Sequence, residues 1–301
     1  MRIALFIAGA CVLALPRAAV SQENFDTVQV RSQKVADGIY ILTGSGGNIG
    51  LSIGDDAVFV VDDQFAPLTP KILAAIAQLT NKPVRFVMNT HWHGDHTGGN
   101  EHMGQAGALL VAQDNVRRRL STQQVLAFFH DTVPASPSGA LPVITFSDTI
   151  TFHINGDDVQ AFHVPNAHTD GDAFIVWRKA DVVHAGDVFV TYGFPFIDLD
   201  AGGSIDGMIA GCDVLLTLGD ENVKIIPGHG PLSSRAEVRE FRAMLKTIRD
   251  RVSQQKNAGR TLAQAQATHP TGQFDAKWGG GFIKPDQFVE FVYRSLPERK
   301  R

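Results

Sequence analysis

Three histidines and one aspartate, His91, His93, Asp95 and His96, fall within six consecutive residues of this sequence. They come directly after Val84–Met88, an apolar run typical of a β-strand. In an extended segment, residues two apart point the same way, so His91 and His93 could offer two imidazoles to one cation. Asp95 and His96 continue through the following turn and could face a second cation. The spacing therefore predicts a site for divalent metal ions at the edge of a sheet, where α/β proteins present their ligand-binding residues.

The apolar pattern around this cluster predicts an α/β fold, because strands alternate with at least one helix before the cluster. Residues 38–42 and Ile49–Ile53 predict a hairpin about a glycine-rich loop. Residues 57–61 are almost entirely apolar, as expected of a buried strand, and Asp62 follows them. A helix is expected to begin at Pro70 and to lead into the strand before the cluster.

A second group of strands follows, and short turn signals between its apolar runs predict an antiparallel meander. The runs comprise residues 143–146, 150–154, 159–164, 173–177 and 182–185. Beyond them we expect a helix over residues 205–218, a strand over residues 223–226 and a helix after Ser233.

Further metal ligands should lie at other strand ends, and three residues fit that expectation. His168, Asp187 and His229 each follow a predicted strand and have a glycine nearby in the sequence. Glycine permits the close backbone approaches that a crowded metal site needs. Two divalent cations held close together also need an anion between them, and a carboxylate or a hydroxide would meet that need.

The ordered set of Asp62, the histidine cluster, His168, Asp187 and His229 resembles the metallo-β-lactamase-fold hydrolase superfamily over about residues 35–232. The resemblance implies an αββα sandwich, in which two mixed β-sheets face each other and helices flank them. It also implies two zinc ions per chain at one edge of the sheets. Asp187 would bridge the two ions, and Asp62 would brace the histidine-rich loop without touching metal. The implied first site is His91, His93 and His168, and the implied second site is Asp95, His96 and His229.

This resemblance implies an exported dinuclear zinc hydrolase in which a metal-bridging hydroxide attacks a carbonyl group, with β-lactamase activity as one expectation. Asp95 would act in catalysis by holding the proton of the nucleophile. However, some zinc β-lactamases have a cysteine ligand where Asp187 stands here, and residues 188–199 contain no lysine to hold a β-lactam carboxylate. A thioesterase or lactonase of an exported quinoprotein or sulfur-oxidation system is therefore an alternative. A non-hydrolytic, iron-binding redox protein of the same fold is another, because histidine and carboxylate ligands also bind iron and manganese.

The first 21 residues are typical of a signal peptide. Arg2 precedes an apolar run over residues 3–15, Pro16 ends it, and Ala19-Val20-Ser21 forms a small-x-small cleavage site. The run is too short to span a bilayer. We therefore expect a periplasmic or secreted protein without a membrane anchor after cleavage. Residues 22–301 are predicted to form a single domain, with a core over about residues 35–255 and a C-terminal helical extension over about residues 256–301.

The net charge of −4 argues against nucleic acid as a partner, because binding to it usually needs a concentrated basic surface. The expected partner is a small-molecule substrate. Cys212, the one cysteine beyond the predicted signal peptide, lies at helical spacing among apolar residues and is predicted to be buried.

Several other residues could belong to the site. His184, Asp170 and Asp172 could support the ligands or could only stabilise turns. Side chains from nearby loops could form a wall around the substrate or could pack against one another, namely Ser45, Asn48, Tyr192, Phe194 and Phe196. The isolated histidines are expected to be structural or to lie at the surface, namely His102, His130, His153, His163 and His269.

Overall fold

The computed structural model describes residues 24–297, so the predicted signal peptide lies outside the described residues. The strands are β1 (Arg31–Ala36), β2 (Ile39–Thr43), β3 (Ile49–Ile53), β4 (Val58–Val61), β5 (Val84–Met88), β6 (Leu109–Gln113), β7 (Gln124–Leu126), β8 (Asp131–Val133), β9 (Ile144–Phe146), β10 (Thr149–Ile154), β11 (Asp157–Val164), β12 (Asp172–Trp177), β13 (Val182–His184), β14 (Lys224–Ile226) and β15 (Ser233–Ser234). The α-helices are α1 (Thr69–Ala77), α2 (Gly94–Thr97), α3 (Asn100–Gln105), α4 (Asp114–Leu120), α5 (Ile205–Leu215), α6 (Arg235–Asn257), α7 (Leu262–Gln266), α8 (Asp275–Trp278) and α9 (Pro285–Ser295).

The first sheet has the strand order β1-β2-β3-β4-β5-β6-β9. Strands β1 to β4 are antiparallel, as the predicted hairpin requires, and β4, β5, β6 and β9 run parallel to one another. Every residue of β4 is buried, which agrees with its almost continuous apolar sequence. The parallel pair β4 and β5 therefore delivers Asp62 and the histidine cluster to the same edge of the sheet.

The second sheet has the order β10-β11-β12-β13-β14-β15. Strands β10 to β13 form the predicted antiparallel meander, and β14 is parallel to β13. Because β11, β13 and β14 point the same way, the loops after them lie at one edge. These are the loops that contain His168, Asp187 and His229.

The prediction that residues 143–146 join the second sheet is wrong. Strand β9 pairs in parallel with β6 in the first sheet, where Val111 lies opposite Ile144 and Gln113 lies opposite Phe146. Only two residues separate β9 from β10, yet the chain passes from one sheet to the other between them. Buried Phe146 contributes to the apolar layer between the sheets, so burial decides where this strand pairs. A short turn signal alone does not distinguish a hairpin from such a crossing.

Three apolar layers hold the sheets and helices together. The middle layer contains side chains from both sheets, among them Phe59, Met88, Ile175 and Trp177. One outer layer packs α1 and α3 against the first sheet, and the other packs α5, α6 and α9 against the second. This helix–sheet–sheet–helix arrangement is the predicted αββα sandwich, and the predicted fold class is confirmed.

Cys212 lies on the buried face of α5, as its helical spacing predicts, and is a free thiol. Burial raises the pKa of the thiol to about 12, so it remains protonated at neutral pH. Among the described helices, none combines the length and apolarity that crossing a bilayer would require.

The middle layer should dominate the stability of the fold. Ile175 is completely buried there, so we expect Ile175→Ala to lower the free energy of unfolding by about 2–5 kcal/mol. Urea denaturation at fixed zinc concentration measures this loss. Val143 is 66% exposed, and Val143→Ala serves as the control with a change below about 0.5 kcal/mol. Equal effects of the two substitutions would contradict the assignment of the core.

Candidate metal centre

All seven predicted ligands meet at one edge of the sandwich, and both sheets contribute to them. The loop and short helix after β5 carry His91, His93, Asp95 and His96, the loop after β11 carries His168, the loop after β13 carries Asp187, and the loop after β14 carries His229. They form overlapping groups whose ligand atoms lie within 4.8 Å of one another. We call His91, His93 and His168 the first cluster, and Asp95, His96 and His229 the second cluster.

In the first cluster, three ring nitrogens face one point. His91 Nε2 lies 3.1 Å from His93 Nδ1, and His168 Nε2 lies 2.9 Å from the same His93 atom. Two nitrogens bound to a tetrahedral zinc ion at about 2.0 Å would lie about 3.3 Å apart. The observed separations are therefore close to those of ligands around one small cation.

The outward nitrogens of His93 and His168 have partners that fix where the ring protons are. His93 Nε2 lies 2.9 Å from the carboxylate of Asp198, and His168 Nδ1 lies 2.9 Å from the carbonyl oxygen of Phe196. Both oxygens are acceptors, so each outward nitrogen carries the proton. The nitrogens that face each other in the first cluster therefore carry lone pairs.

The position of the ring proton on His91 is also fixed by its neighbour. Thr90 Oγ1 donates to Asp62 Oδ2 at 2.7 Å and lies 3.0 Å from His91 Nδ1. Because the hydroxyl proton points to Asp62, the proton between Thr90 and His91 belongs to the ring, and His91 Nε2 also presents a lone pair. The lone pairs of His91 and His168 lie about 3 Å from that of His93 and repel it unless a cation lies between them, so the donor set fits a divalent metal ion.

The second cluster combines two imidazoles with a carboxylate. His96 Nε2 lies 3.2 Å from His229 Nε2, and Asp95 Oδ2 lies 3.1 Å from His229 Nε2 and 3.6 Å from His96 Nε2. The Nδ1 atom of His96 lies 2.7 Å from Asp62 Oδ2, so His96 Nε2 also faces inward with a lone pair when the ring is neutral. This cluster too has the composition of a divalent metal site.

Asp187 lies between the two clusters. Its Oδ1 atom is 3.2 Å from His96 Nε2, and its Oδ2 atom is 3.5 Å from His229 Nε2 and 3.8 Å from His168 Nε2. Oδ1 is buried and forms no hydrogen bond within the described residues. A buried carboxylate oxygen normally has a partner. The position of Asp187 and this unpaired oxygen fit a carboxylate that contacts a cation.

Neighbouring charges give the histidines His168 and His229 of the two clusters different pKa values. Burial and the neighbouring ring of His93 lower the pKa of His168 to about 4, so this ring is neutral at pH 7. Burial also disfavours a charged His229, but the carboxylates of Asp187 and Asp95 outweigh it and raise its pKa to about 9. A metal ion binds neutral imidazole, so a cation in the second cluster would displace this proton.

Two glycines leave room for the ligands. A Cβ atom on Gly47 would lie 2.1 Å from His96 Cε1, and one on Gly228 would lie 1.9 Å from Asp187 Oδ1. Any other residue at either position would collide with a predicted ligand. This finding supports the sequence argument that glycine near the strand ends permits crowding around a metal.

Asp198 is a site residue that the sequence analysis missed. It is 1% exposed, and its two oxygens accept hydrogen bonds from His93 and from the backbone N–H of Ala201. Burial favours the neutral acid, but the contact with His93 outweighs this and lowers the pKa of Asp198. Nothing in the sequence marks this aspartate, because it follows no predicted strand and stands far from His93 along the chain.

The other candidates support loops rather than contact the ligand atoms. His184 Nε2 lies 3.0 Å from the backbone carbonyl oxygen of Asn48. The side-chain amide of Asn48 donates to the carbonyl oxygens of Pro227 and Gly230 in the loop of His229. Asp172 accepts two hydrogen bonds from Thr169 and caps that turn.

Asp170 forms a two-point ion pair with Arg119. Phe194 is completely buried and stacks on Phe288, and the side-chain amide of buried Asn48 donates to two backbone carbonyl groups, so both take the packing alternative rather than the wall. Within the described residues, the isolated histidines belong to none of the potential metal groups.

A cavity of about 490 Å³ opens onto both clusters. Ser45, Tyr192 and Phe196 line it, as the wall alternative expects, together with His93, Asp95, His168, Asp187 and His229. Most of its remaining lining is apolar, namely Phe65, Trp92, Leu126, Phe129, Val133 and Phe282. No lysine or arginine among residues 24–297 lines this cavity. It therefore suits an apolar, uncharged group beside the ligands.

Comparisons with known proteins agree with this fold. The family model described as "Metallo-beta-lactamase superfamily" matches residues 42–229. A metallo-beta-lactamase type 2 from Elizabethkingia meningoseptica is 24% identical over 197 residues, which cover 61% of this chain and 72% of that protein. An atrochrysone carboxyl ACP thioesterase from Aspergillus chevalieri is 23% identical over 248 residues, covering 81% of this chain and 67% of that protein.

Two solved structures show the same fold at lower identity. A metallo-beta-lactamase from Pontibacter korlensis has a TM-score of 0.60 and 17% identity, and the match covers 72% of this chain and 99% of that chain. The stereoselective inverting sec-alkylsulfatase Pisa1 from Pseudomonas sp. has a TM-score of 0.64 and 15% identity, with 88% of this chain and 50% of that chain covered.

Asp198 should control metal affinity through His93. In Asp198→Asn, Ala201 N–H keeps the amide oxygen on its side, so the amide NH₂ would face His93 Nε2 and move the ring proton to Nδ1. The proton would then point into the first cluster. We expect zinc affinity, measured by chelator competition, to fall about 10- to 100-fold.

Asp200→Asn is the matched control, because Asp200 accepts only the N–H of Ala127 among the hydrogen bonds described and does not contact a ligand. It should leave zinc affinity unchanged. An Asp198→Asn protein that binds zinc as tightly as the control would contradict the role of Asp198.

Proposed function

The chain belongs to the metallo-beta-lactamase superfamily, and from this premise we propose that it is a dinuclear, zinc-dependent hydrolase. It would cleave the single bond between the carbonyl carbon and the leaving oxygen, sulfur or nitrogen of an apolar ester, thioester or cyclic amide. One observation carries the proposal. The inward nitrogens of His91, His93 and His168 face one another, and two of these histidines, His93 and His168, line a largely apolar cavity. A stable fold gains nothing from this arrangement unless a cation binds there.

The first cluster would hold one ion, the second cluster would hold the other, and Asp187 would contact both. When bound, zinc ions supply a water of lowered pKa, about 7, and polarise a carbonyl oxygen. Asp95 is 30% exposed on its side chain, toward the cavity. Burial raises the pKa of its carboxyl, but His96 and His229 outweigh burial and lower it to about 2. Asp95 is therefore ionised at neutral pH, and its carboxylate can accept the proton of an attacking water.

The lining of the cavity favours an apolar acyl group as the substrate. Phe65, Trp92 and Val133 present hydrocarbon to it, and no lysine or arginine of the described residues lines it. A substrate with an anionic group next to its reactive carbonyl would therefore find no such side chain to pair with in the cavity. This argues for an uncharged ester or thioester, as in the thioesterase or lactonase alternative.

Hydrolysis of β-lactams is the second candidate function. One curated relative is a metallo-beta-lactamase, and its identity of 24% supports the same reaction class without fixing the substrate. Binding of the β-lactam carboxylate would have to rely on the zinc ions and on backbone N–H groups. Metal analysis distinguishes the hydrolase from the non-hydrolytic, iron-binding alternative. Two zinc ions per chain support a hydrolase, and one iron ion per chain supports redox chemistry.

We also propose that the protein is exported, on the basis of the predicted signal peptide over residues 1–21. In a bacterial expression host, the mature protein should be recovered from the periplasmic or secreted fraction with Gln22 as its first residue. N-terminal sequencing measures this, and an intracellular protein that keeps Met1 would contradict export.

Hydrolysis should depend on bound metal. We expect chelation to abolish the activity of the purified protein toward a p-nitrophenyl ester or a thioester, and added zinc to restore it. The screen should include a lactone and a chromogenic β-lactam, each with and without chelator. Hydrolysis that persists in the metal-free protein would contradict the proposal.

Asp187→Ala should lower metal content and hydrolysis together, because the carboxylate between the clusters is lost while the repulsion between two cations remains. Metal analysis and the ester assay on the same preparation test this. Asp206→Ala is the control, since Asp206 pairs with Arg249 at the surface. Unchanged metal content and turnover in Asp187→Ala would refute the bridging role.

A further inference from the structure

A small hairpin stands over the metal cavity and belongs to neither main sheet. Strands β7 and β8 pair only with each other, and the turn between them holds His130 in the left-handed region, with φ of 52°. The hairpin supplies three apolar side chains to the cavity, Leu126, Phe129 and Val133. The backbone N–H of Ala127 donates to Asp200 and fastens the hairpin to the loop that also holds Asp198.

A second segment, after α8, reaches the cavity from the C-terminal part of the chain. Its backbone is anchored to residues 192–194, because Phe194 N–H donates to Trp278 and a β-bridge joins Phe194 to Ile283. A Cβ atom on Gly193 would lie 2.7 Å from the Cα atom of Gly281, so the two backbones are in close contact. This anchorage fixes the position of Phe282 at the mouth of the cavity.

Phe129 of the hairpin and Phe282 of the second segment meet across the mouth. Their rings stack with centroids 5.8 Å apart at an interplanar angle of 27°. Nevertheless Phe129 is 38% exposed and Phe282 is 61% exposed. Large apolar side chains exposed together at the mouth of a cavity mark a surface that a ligand can cover.

A continuous aromatic path joins this pair to the ligands. The ring of Phe196 lies 5.1 Å from that of Phe129 and 5.8 Å from that of the predicted ligand His93. Behind the same wall lies another cavity of about 570 Å³, whose lining includes Asp200, Glu290 and Arg294. Phe129, Phe196 and Phe282 line both cavities, whereas the charged side chains of Asp200, Glu290 and Arg294 line only the second one.

The geometry points to Phe129 and Phe282 as an aromatic clamp that selects substrates by the length of the hydrocarbon in their acyl group. The inference rests on the proposed function, in which an acyl carbonyl lies at the metal clusters. The acyl chain runs from there along Phe196 and passes between the cavity floor and the clamp. Short acyl groups end before they reach the clamp, and longer ones cover its exposed rings.

The test uses the zinc-loaded full-length protein and p-nitrophenyl esters of acetate, butanoate and octanoate. In the wild-type protein, kcat/KM should rise with chain length, by up to about fourfold for each methylene group that becomes fully buried. In Phe129→Ala/Phe282→Ala, the octanoate-to-acetate ratio of kcat/KM should fall at least about tenfold. Zinc content should stay within about twofold of wild type, because neither residue is a predicted ligand. Turnover of the acetate ester should fall less than that of the octanoate ester.

Two control variants keep the result specific. Val143→Ala removes another exposed apolar side chain, which does not line the cavity, and should not change the ratio. Phe129→Leu keeps a bulky apolar group, so its preference for octanoate over acetate should lie between those of the double variant and the wild type. A structural role alone would lower hydrolysis of all three esters equally and would overturn the inference.

Binding of linear alcohols provides a readout that does not need hydrolysis. The zinc-loaded protein is titrated calorimetrically with hexan-1-ol, octan-1-ol and decan-1-ol. In the wild type, affinity should increase with the length of the alcohol. In the double variant, decan-1-ol should bind at least about tenfold more weakly than in the wild type. If no ester is hydrolysed but this pattern holds, the proposed function fails and the clamp stands. If the esters are hydrolysed but the length dependence is the same in wild type and double variant, the clamp fails and the proposed function stands.

Discussion

One buried carboxylate, that of Asp62, fixes a histidine in each half of the metal centre. Its Oδ1 atom accepts the N–H of Thr90, and its Oδ2 atom contacts both the Thr90 hydroxyl and His96 Nδ1. Through Thr90 it sets the proton position of His91, and directly it sets that of His96. Asp62 is completely buried and holds a φ of 62°, which is uncommon for a residue other than glycine. The surrounding sandwich must hold that backbone in place, so the core and the orientation of the ligands depend on each other.

The loops from the second sheet are fixed in a similar way, but through backbone groups. Buried His184 contacts the carbonyl oxygen of Asn48, and the amide of Asn48 donates to Pro227 and Gly230 on either side of His229. The loop between β2 and β3 in the first sheet is therefore bonded to the loop after β14 in the second. This chain of contacts holds His229 opposite His96.

The sequence predicts those parts of the molecule in which a pattern is local. The histidine cluster lies within six residues, and β5 before it and α5 and α6 after it have clear apolar periodicity. The two-sheet architecture and the loops at its active edge follow from such runs and from the resemblance. The sequence does not predict the pairing of β9 or the contact between Asp198 and His93, since both join residues that are distant along the chain. Phe194 and Phe196 stand two residues apart, yet one packs in the core and the other lines the cavity, which only the tertiary fold decides.

Neither cluster lies within a single sheet. The first takes two histidines from the loop after β5 and one from the loop after β11, and the second likewise takes Asp95 and His96 from one layer and His229 from the other. A cation in either position would therefore cross-link the two halves of the sandwich. Ligand binding to the native state alone shifts the folding equilibrium toward it. The availability of metal would then govern how long the folded protein survives as well as whether it can turn over a substrate.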